Sequence, residues 1–325
     1  MLRRETAANP DLLAGALKGL RAYQEAPRPT WSEPRPAIAE AFGATIRDYG
    51  GEGAPVLFVP SLINPPSVLD LTPERSLLRW LAGKGHRVLL LDWGTDIEAR
   101  KDLSITGHVE QILLPFIRGL GEPVSLAGYC LGGTMAIAAA SATPVRRLAL
   151  IAAPWHFSAY PDESRARLKQ LASDAEPLMQ ALGLLPMEVL QAGFWSLDPA
   201  RAVTKFQHFG RLDPSSPEAA NFVALEDWAN DGPPLPSAAA RELFNAFFAK
   251  DLPGNRRWEV EGKAVDPSNL YLPILNIISD TDNIVPRNTN LTAGNRICLQ
   301  QGHVGMVVSR HSEIILWNQL TAFLL

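Results

Sequence analysis

Cys130 is the residue most equipped for chemistry in this chain. It stands in Gly128-Tyr129-Cys130-Leu131-Gly132-Gly133-Thr134, after the apolar run Val124-Ser125-Leu126-Ala127 and before the small-residue run Met135-Ala136-Ile137-Ala138-Ala139-Ala140. That order reads as strand, tight turn, helix. Glycines two before and two after the cysteine let the strand and helix approach closely around a strained turn. A thiolate at the first turn of a helix gains from the helix dipole and from free N–H groups. Covalent catalysis through a thioester is the chemistry this predicts.

A thiol nucleophile calls for a base, and the base for an orienting carboxylate. His303, in Gln301-Gly302-His303-Val304-Gly305, follows an apolar run near the C-terminus. The carboxylate candidates are Asp280 and Asp282, in Ser279-Asp280-Thr281-Asp282-Asn283-Ile284-Val285-Pro286. Position in the loop favours Asp282, with Asp280 placed to cap the turn. An oxyanion would be met by the N–H of Leu131 and by the backbone of Ile63, in Val59-Pro60-Ser61-Leu62-Ile63-Asn64. Asn64, Tyr129, Trp155 and His156 are the candidate substrate-contacting residues. His86, His108, His208 and His311 have no comparable context. Cys298 is expected to be packed in its strand. Neither a C-x-x-C pair nor an H-E-x-x-H helix is present, so no metal site is expected.

These residues need elements to hold them. Val56–Val59, Arg87–Leu91, Val124–Ala127, Leu148–Ala152 and Pro273–Ile278 are short apolar runs separated by helical stretches, with Arg296–Leu299 last. Continuous apolar strands between helices indicate a mainly parallel sheet covered on both faces. Nucleophile, acid and histidine follow strands in that chain order, which is the order of the α/β-hydrolase fold. Residues 155–270 break the alternation with helices and loops, and read as an inserted, mainly helical cap whose Phe222, Trp228, Phe244, Phe247 and Phe248 form either its lining or its core. The division expected is therefore a leader at 1–50 packing on the core, a core at 51–154 and 271–325, and the cap between.

Composition limits the function classes. The 325 residues carry a net charge of −4 and include no Lys/Arg-rich block, which argues against nucleic acid. Two cysteines exclude a disulfide framework and suit a reducing cytoplasm. No apolar run reaches membrane-spanning length, and Met1-Leu2-Arg3-Arg4-Glu5-Thr6 leads into no secretory core.

From residue 55 onward the chain closely resembles polyhydroxyalkanoate synthases. The resemblance rests on Gly128–Thr134, Pro60-Ser61-Leu62-Ile63-Asn64, Val68-Leu69-Asp70-Leu71, Pro73-Glu74-Arg75-Ser76, Leu91-Asp92-Trp93-Gly94, Leu225-Glu226-Asp227-Trp228, Asp282–Pro286 and Gly302-His303-Val304-Gly305. Where that family usually has Asp-His, this chain has Asp282-Asn283. The resemblance implies that Cys130 takes a 3-hydroxyacyl group from coenzyme A as a thioester. His303 would activate the thiol and the incoming hydroxyl, and Asp282 would support that activation. Coenzyme A would enter as part of the substrate, with no separate cofactor. The implied partners are 3-hydroxyacyl-CoA, a growing polyester chain or granule surface, and a homodimer or partner subunit. With water as acceptor the same groups would make a thioester or ester hydrolase. A non-catalytic acyl-binding homologue is the third reading.

Overall fold

The computed structural model describes residues 6–7, 9–28, 35–195 and 198–324. Its centre is an eight-stranded sheet: β1 Ala37–Ala41, β2 Ala44–Asp48, β3 Glu52–Val59, β4 His86–Asp92, β5 Ser125–Tyr129, β6 Leu148–Ile151, β7 Ile274–Ser279 and β8 Asn295–Leu299. The spatial order is β1-β2-β4-β3-β5-β6-β7-β8. The pairs from β4 through β8 are parallel, and β2 is antiparallel to both β1 and β4.

The apolar runs pack as a doubly covered sheet requires. Leu57, Val59, Leu89, Leu91 and Leu126 share one core with Ile112 and Met135. Their neighbours Val56, Phe58, Val88, Leu90 and Ala127 share the other, with Leu77, Leu78 and Trp317. That division is the two-residue period of a strand buried on both sides. The helices between strands include α1 Pro10–Glu25, α2 Leu77–Gly83 and α3 Leu131–Ala142. Every residue of α3 from Leu131 to Ala140 is buried, which its small side chains permit.

Between β6 and β7, no strand among the described residues joins the central sheet. The segment carries α4 Asp162–Leu182, α5 Met187–Trp195, α6 Pro199–Phe209 and α7 Pro217–Asn230, followed by a helical run from Ser237 through Phe248.

The leader departs from expectation. Helix α1 packs on α6 of the insertion, not on the sheet core, at a crossing where a Cβ on Gly19 would lie 1.7 Å from the Phe206 carbonyl. The Tyr23 hydroxyl donates to Asp227 at 2.6 Å on α7. Residues 37–48 are part of the sheet, as a hairpin turning at Phe42-Gly43 with φ of 53° and 74°. An aromatic in the left-handed region hides a turn that Asn-Gly would have announced. The Pro-rich stretch after Ala26 runs into residues 29–30, which lie outside the described residues.

Candidate active site

Cys130 sits between β5 and α3, at the N-cap of a 12-residue helix, with φ of 56° and ψ of −130°. Such a backbone costs on the order of 1–3 kcal/mol and persists only where its surroundings hold it. Two hydrogen bonds do so: Cys130 N–H to the Ile151 carbonyl at 2.9 Å, and Gly133 N–H to the Cys130 carbonyl at 2.8 Å. The glycine frame is a matter of space. A Cβ on Gly132 would lie 2.1 Å from the Val59 carbonyl oxygen, and one on Gly128 2.4 Å from the Gly133 Cα. The thiol is half-buried and opens onto a cavity.

His303 follows β8 and Asp282 follows β7, so all three groups leave the same end of the parallel sheet, where sites form in open α/β folds. His303 Nδ1 lies 2.7 Å from Asp282 Oδ2. The other carboxylate oxygen, Oδ1, accepts from the N–H groups of Ile284 and Val285, both at 2.8 Å. Asp282 is thereby anchored as an acceptor on both oxygens. Asp280 points elsewhere, paired with Arg287 and accepting from Gln300 Nε2 at 3.1 Å. Of the two carboxylates left open by the sequence, the structure brings Asp282 to the histidine.

Electrostatics follow from this packing. Burial by itself would depress the His303 imidazole; the Asp282 carboxylate and the adjoining Cys130 thiolate outweigh it and raise it to about 10. The imidazolium is the state this favours for His303. Tyr129 stacks on the His303 ring, with centroids 5.1 Å apart and an interplanar angle of 29°. Its hydroxyl donates to the His303 carbonyl at 3.3 Å. Burial, with the charges of Cys130 and Asp282 adding to it, holds that phenol well above its usual range, so it stays a donor.

Leu131 is the first residue of α3, and its N–H has no intrahelical acceptor. Ile63 differs from expectation. Its N–H donates to Ser61 Oγ at 3.1 Å, a local hydroxyl turn that occupies the donor expected for an oxyanion. Asn64, at φ of 64°, lines the cavity and directs its amide toward the carbonyls of Trp228, Ala229 and Asp231 at 3.3–3.4 Å.

The cavity above Cys130 has a volume of about 590 Å³. Its walls include Leu168 and Leu171 of α4, Phe194 of α5, and Leu243, Phe244 and Phe248 beyond α7. Of the aromatic residues weighed for this role, Trp228, Phe244 and Phe248 line the cavity, Phe247 is core, and Phe222 stacks on Phe209 at 4.4 Å beside α1. Trp155 and His156 do not line it. Their N–H groups both donate to the Thr289 carbonyl, at 2.6 and 2.8 Å, and the Trp155 ring packs in the core beside Trp258. These two side chains are directed away from the cavity, while their neighbours Pro154 and Phe157 line it. Cys298 is also corrected: it is exposed, because β8 is an edge strand.

Gln191 and Ser61 escaped notice in the sequence. Gln191 was the one uncharged polar residue within the apolar run Val189–Trp195, and Ser61 lay two residues before a candidate donor. Among the described residues, no cluster of three or more His, Cys, Asp or Glu could hold a metal ion. Nor is any helix among them long and apolar enough to cross a membrane.

No protein-family model matches the chain. Curated relatives do. The chain is 28% identical over 302 residues to the poly(3-hydroxyalkanoate) polymerase subunit PhaC of Haloarcula marismortui, covering 87% of this chain and 63% of that one. The Haloferax mediterranei PhaC is 28% identical over 283 residues, covering 81% and 57%. For the Synechocystis PhaC the figures are 28% over 276 residues, 78% and 73%. The chain thus spans about three fifths of the first two relatives' length. Among solved structures, a monoacylglycerol lipase from Paleococcus ferrophilus superposes with a TM-score of 0.54 at 16% identity, covering 86% of this chain and 98% of that one. A hydrolase from Oleispira antarctica gives 0.52 at 14%, covering 86% and 93%. The chain has the α/β-hydrolase fold, and along most of its length it is similar to poly(3-hydroxyalkanoate) polymerase subunits.

Proposed function

We propose that this protein is a cysteine-dependent acyltransferase of the polyhydroxyalkanoate synthase type, acting on 3-hydroxyacyl-CoA. One observation carries the reading: a cysteine, not a serine, occupies the strained turn that lines a mainly apolar cavity, in a chain similar to polymerase subunits.

The chemistry divides into two acyl transfers. The Cys130 thiolate attacks the thioester carbonyl carbon, and the bond to the sulfur of coenzyme A breaks. The proton on His303 goes to the departing coenzyme A thiolate, leaving a neutral imidazole and an acyl-Cys130 thioester. A hydroxyl oxygen then attacks that thioester. Its proton passes to His303, an ester bond forms, and Cys130 leaves as the thiolate. Asp282 keeps the imidazole in one tautomer and stabilises its cationic form. Leu131 N–H serves the oxyanion in each step.

The inserted segment 155–270 acts as a cap that shapes the acyl pocket and keeps water from the acyl-enzyme. Asn64 and Tyr129 act beside the substrate by holding the cap and the histidine. The cytoplasm is the setting in which acyl-CoA and a reduced thiol coexist.

Purified protein incubated with 3-hydroxybutyryl-CoA tests the reading, with Cys130→Ala as control. Coenzyme A release that depends on Cys130, with growing oligomers seen by mass spectrometry, is the expected result. Release with only free hydroxy acid would replace the polymerase by a thioesterase. No release, with 3-hydroxyacyl chains of four to ten carbons tried, would overturn acyl transfer altogether.

A further inference from the structure

Gln191 stands apart from the other buried polar groups around the cavity. It is 9% exposed, lies on α5 and lines the cavity, yet its amide has no hydrogen-bond partner among the described residues. Its polar neighbours are engaged. Tyr129 donates to the His303 carbonyl, and Lys205 is paired with both oxygens of Glu226 at 2.6 and 2.8 Å. Ser61 accepts from Ile63, and Asn64 is directed at carbonyls of the insertion.

Leucine or methionine at 191 would match the mainly apolar wall, in which this amide is the exception. The group is therefore suited to a partner that arrives with the ligand. An amide offers donors and an acceptor together. A hydroxyl is the small function that answers both at once, whereas an ester or ketone oxygen uses only the donors. Within an otherwise apolar pocket, one such group sets orientation and selectivity.

Resting on the acyl-CoA reading above, we infer that Gln191 is a specificity-determining residue that hydrogen-bonds the hydroxyl of a hydroxyacyl chain, so that the cavity selects hydroxyacyl over plain acyl groups. A pocket organised around a hydrogen bond rejects the analogue lacking it far more strongly than an apolar pocket rejects a hydroxyl.

The test is a binding comparison on Cys130→Ala protein, which cannot form the acyl-enzyme. Calorimetry gives Kd for 3-hydroxybutyryl-CoA and for butyryl-CoA, with Gln191 intact, with Gln191→Met and with Gln191→Leu. The expected preference for the hydroxyacyl ligand is about tenfold with Gln191 intact and about onefold in both variants, with butyryl-CoA binding held within about threefold. A preference that survives both substitutions overturns the inference, as it would if the amide held only water. So does an equal loss for both ligands. Absence of binding by either ligand overturns the acyl-CoA reading and this inference with it. If the preference responds to Gln191 while the Cys130 protein releases no coenzyme A, the transfer reading fails and the recognition stands.

Discussion

The two sides of the cavity are built by opposite rules. On the sheet side, the polar atoms around Cys130 are fixed by directed hydrogen bonds: Asp282 to His303 and to two backbone N–H groups, Tyr129 to His303, Cys130 to Ile151. On the insertion side, Leu168, Leu171, Phe194, Phe244 and Phe248 present shape with little directional bonding. Chemistry demands atoms held within about 0.5 Å, whereas an acyl pocket demands volume. One side is specified by particular residues, and the other by hydrophobic size.

The carboxylates give the sharpest way to break that contrast. Asp282→Asn should lower the rate of coenzyme A release by about 10²–10⁴-fold, since an amide cannot hold the imidazolium. Asp280→Asn should stay within about threefold, because Asp280 is engaged by Arg287, Gln300 and Cys298 and not by His303. Pre-steady-state release measured on both variants decides it, and equal losses would sink the assignment.

Glycines test the same divide through stability. Gly132→Ala should destabilise by about 3 kcal/mol or prevent folding, since backbone has to shift to admit the Cβ. Among the described residues, Gly193→Ala on α5 meets Leu171 at 3.5 Å, an ordinary contact. Relieving a helical glycine there should stabilise by about 0.5–1 kcal/mol. Denaturant melts of the two variants would show opposite signs; a tolerated Gly132→Ala would mean that the turn is softer than described.

Protonation supplies a third test. His303 is raised to about 10 in the folded protein, against roughly 6.5 unfolded. Its contribution to stability is therefore complete below about pH 6.5 and is lost as pH rises through about 10. Thermal melts from pH 6 to 10.5 should show a decline that Asp282→Asn largely removes. An unchanged decline in that variant would place its origin elsewhere.

The smallest expected effect lies at Ser61. Ser61→Ala frees the Ile63 N–H, and acylation should rise by about two- to fivefold if that donor then meets the oxyanion. A lower rate would mean that the hydroxyl itself is needed.

How far the site was legible in the sequence follows the same divide. Cys130, Asp282 and His303 could be read because each follows a strand of the parallel sheet, and the turn at Cys130 tolerates few residue types. The sheet was legible from its apolar runs. The hairpin at 37–48 was not, because Phe42 in a left-handed conformation gives no turn signal, and α1 was misplaced because its partner α6 lies some 180 residues away. Trp155 and His156 failed for a related reason: both adjoin the cavity in sequence, but the Thr289 carbonyl turns them away in space.

Asn64 joins the two sides. Its neighbour Ile63 is the expected second oxyanion donor, and its own amide reaches the backbone at 228–231 of the insertion, beside the cavity. A displacement of 228–231 that opened the cavity would drag this loop along. Admission and readiness would then be mechanically exclusive, as with a door whose handle is wired to the lamp inside. On the polymerase reading proposed above, a polymer longer than the chamber would have to be threaded through a standing opening, since each swing of the door would interrupt its growth.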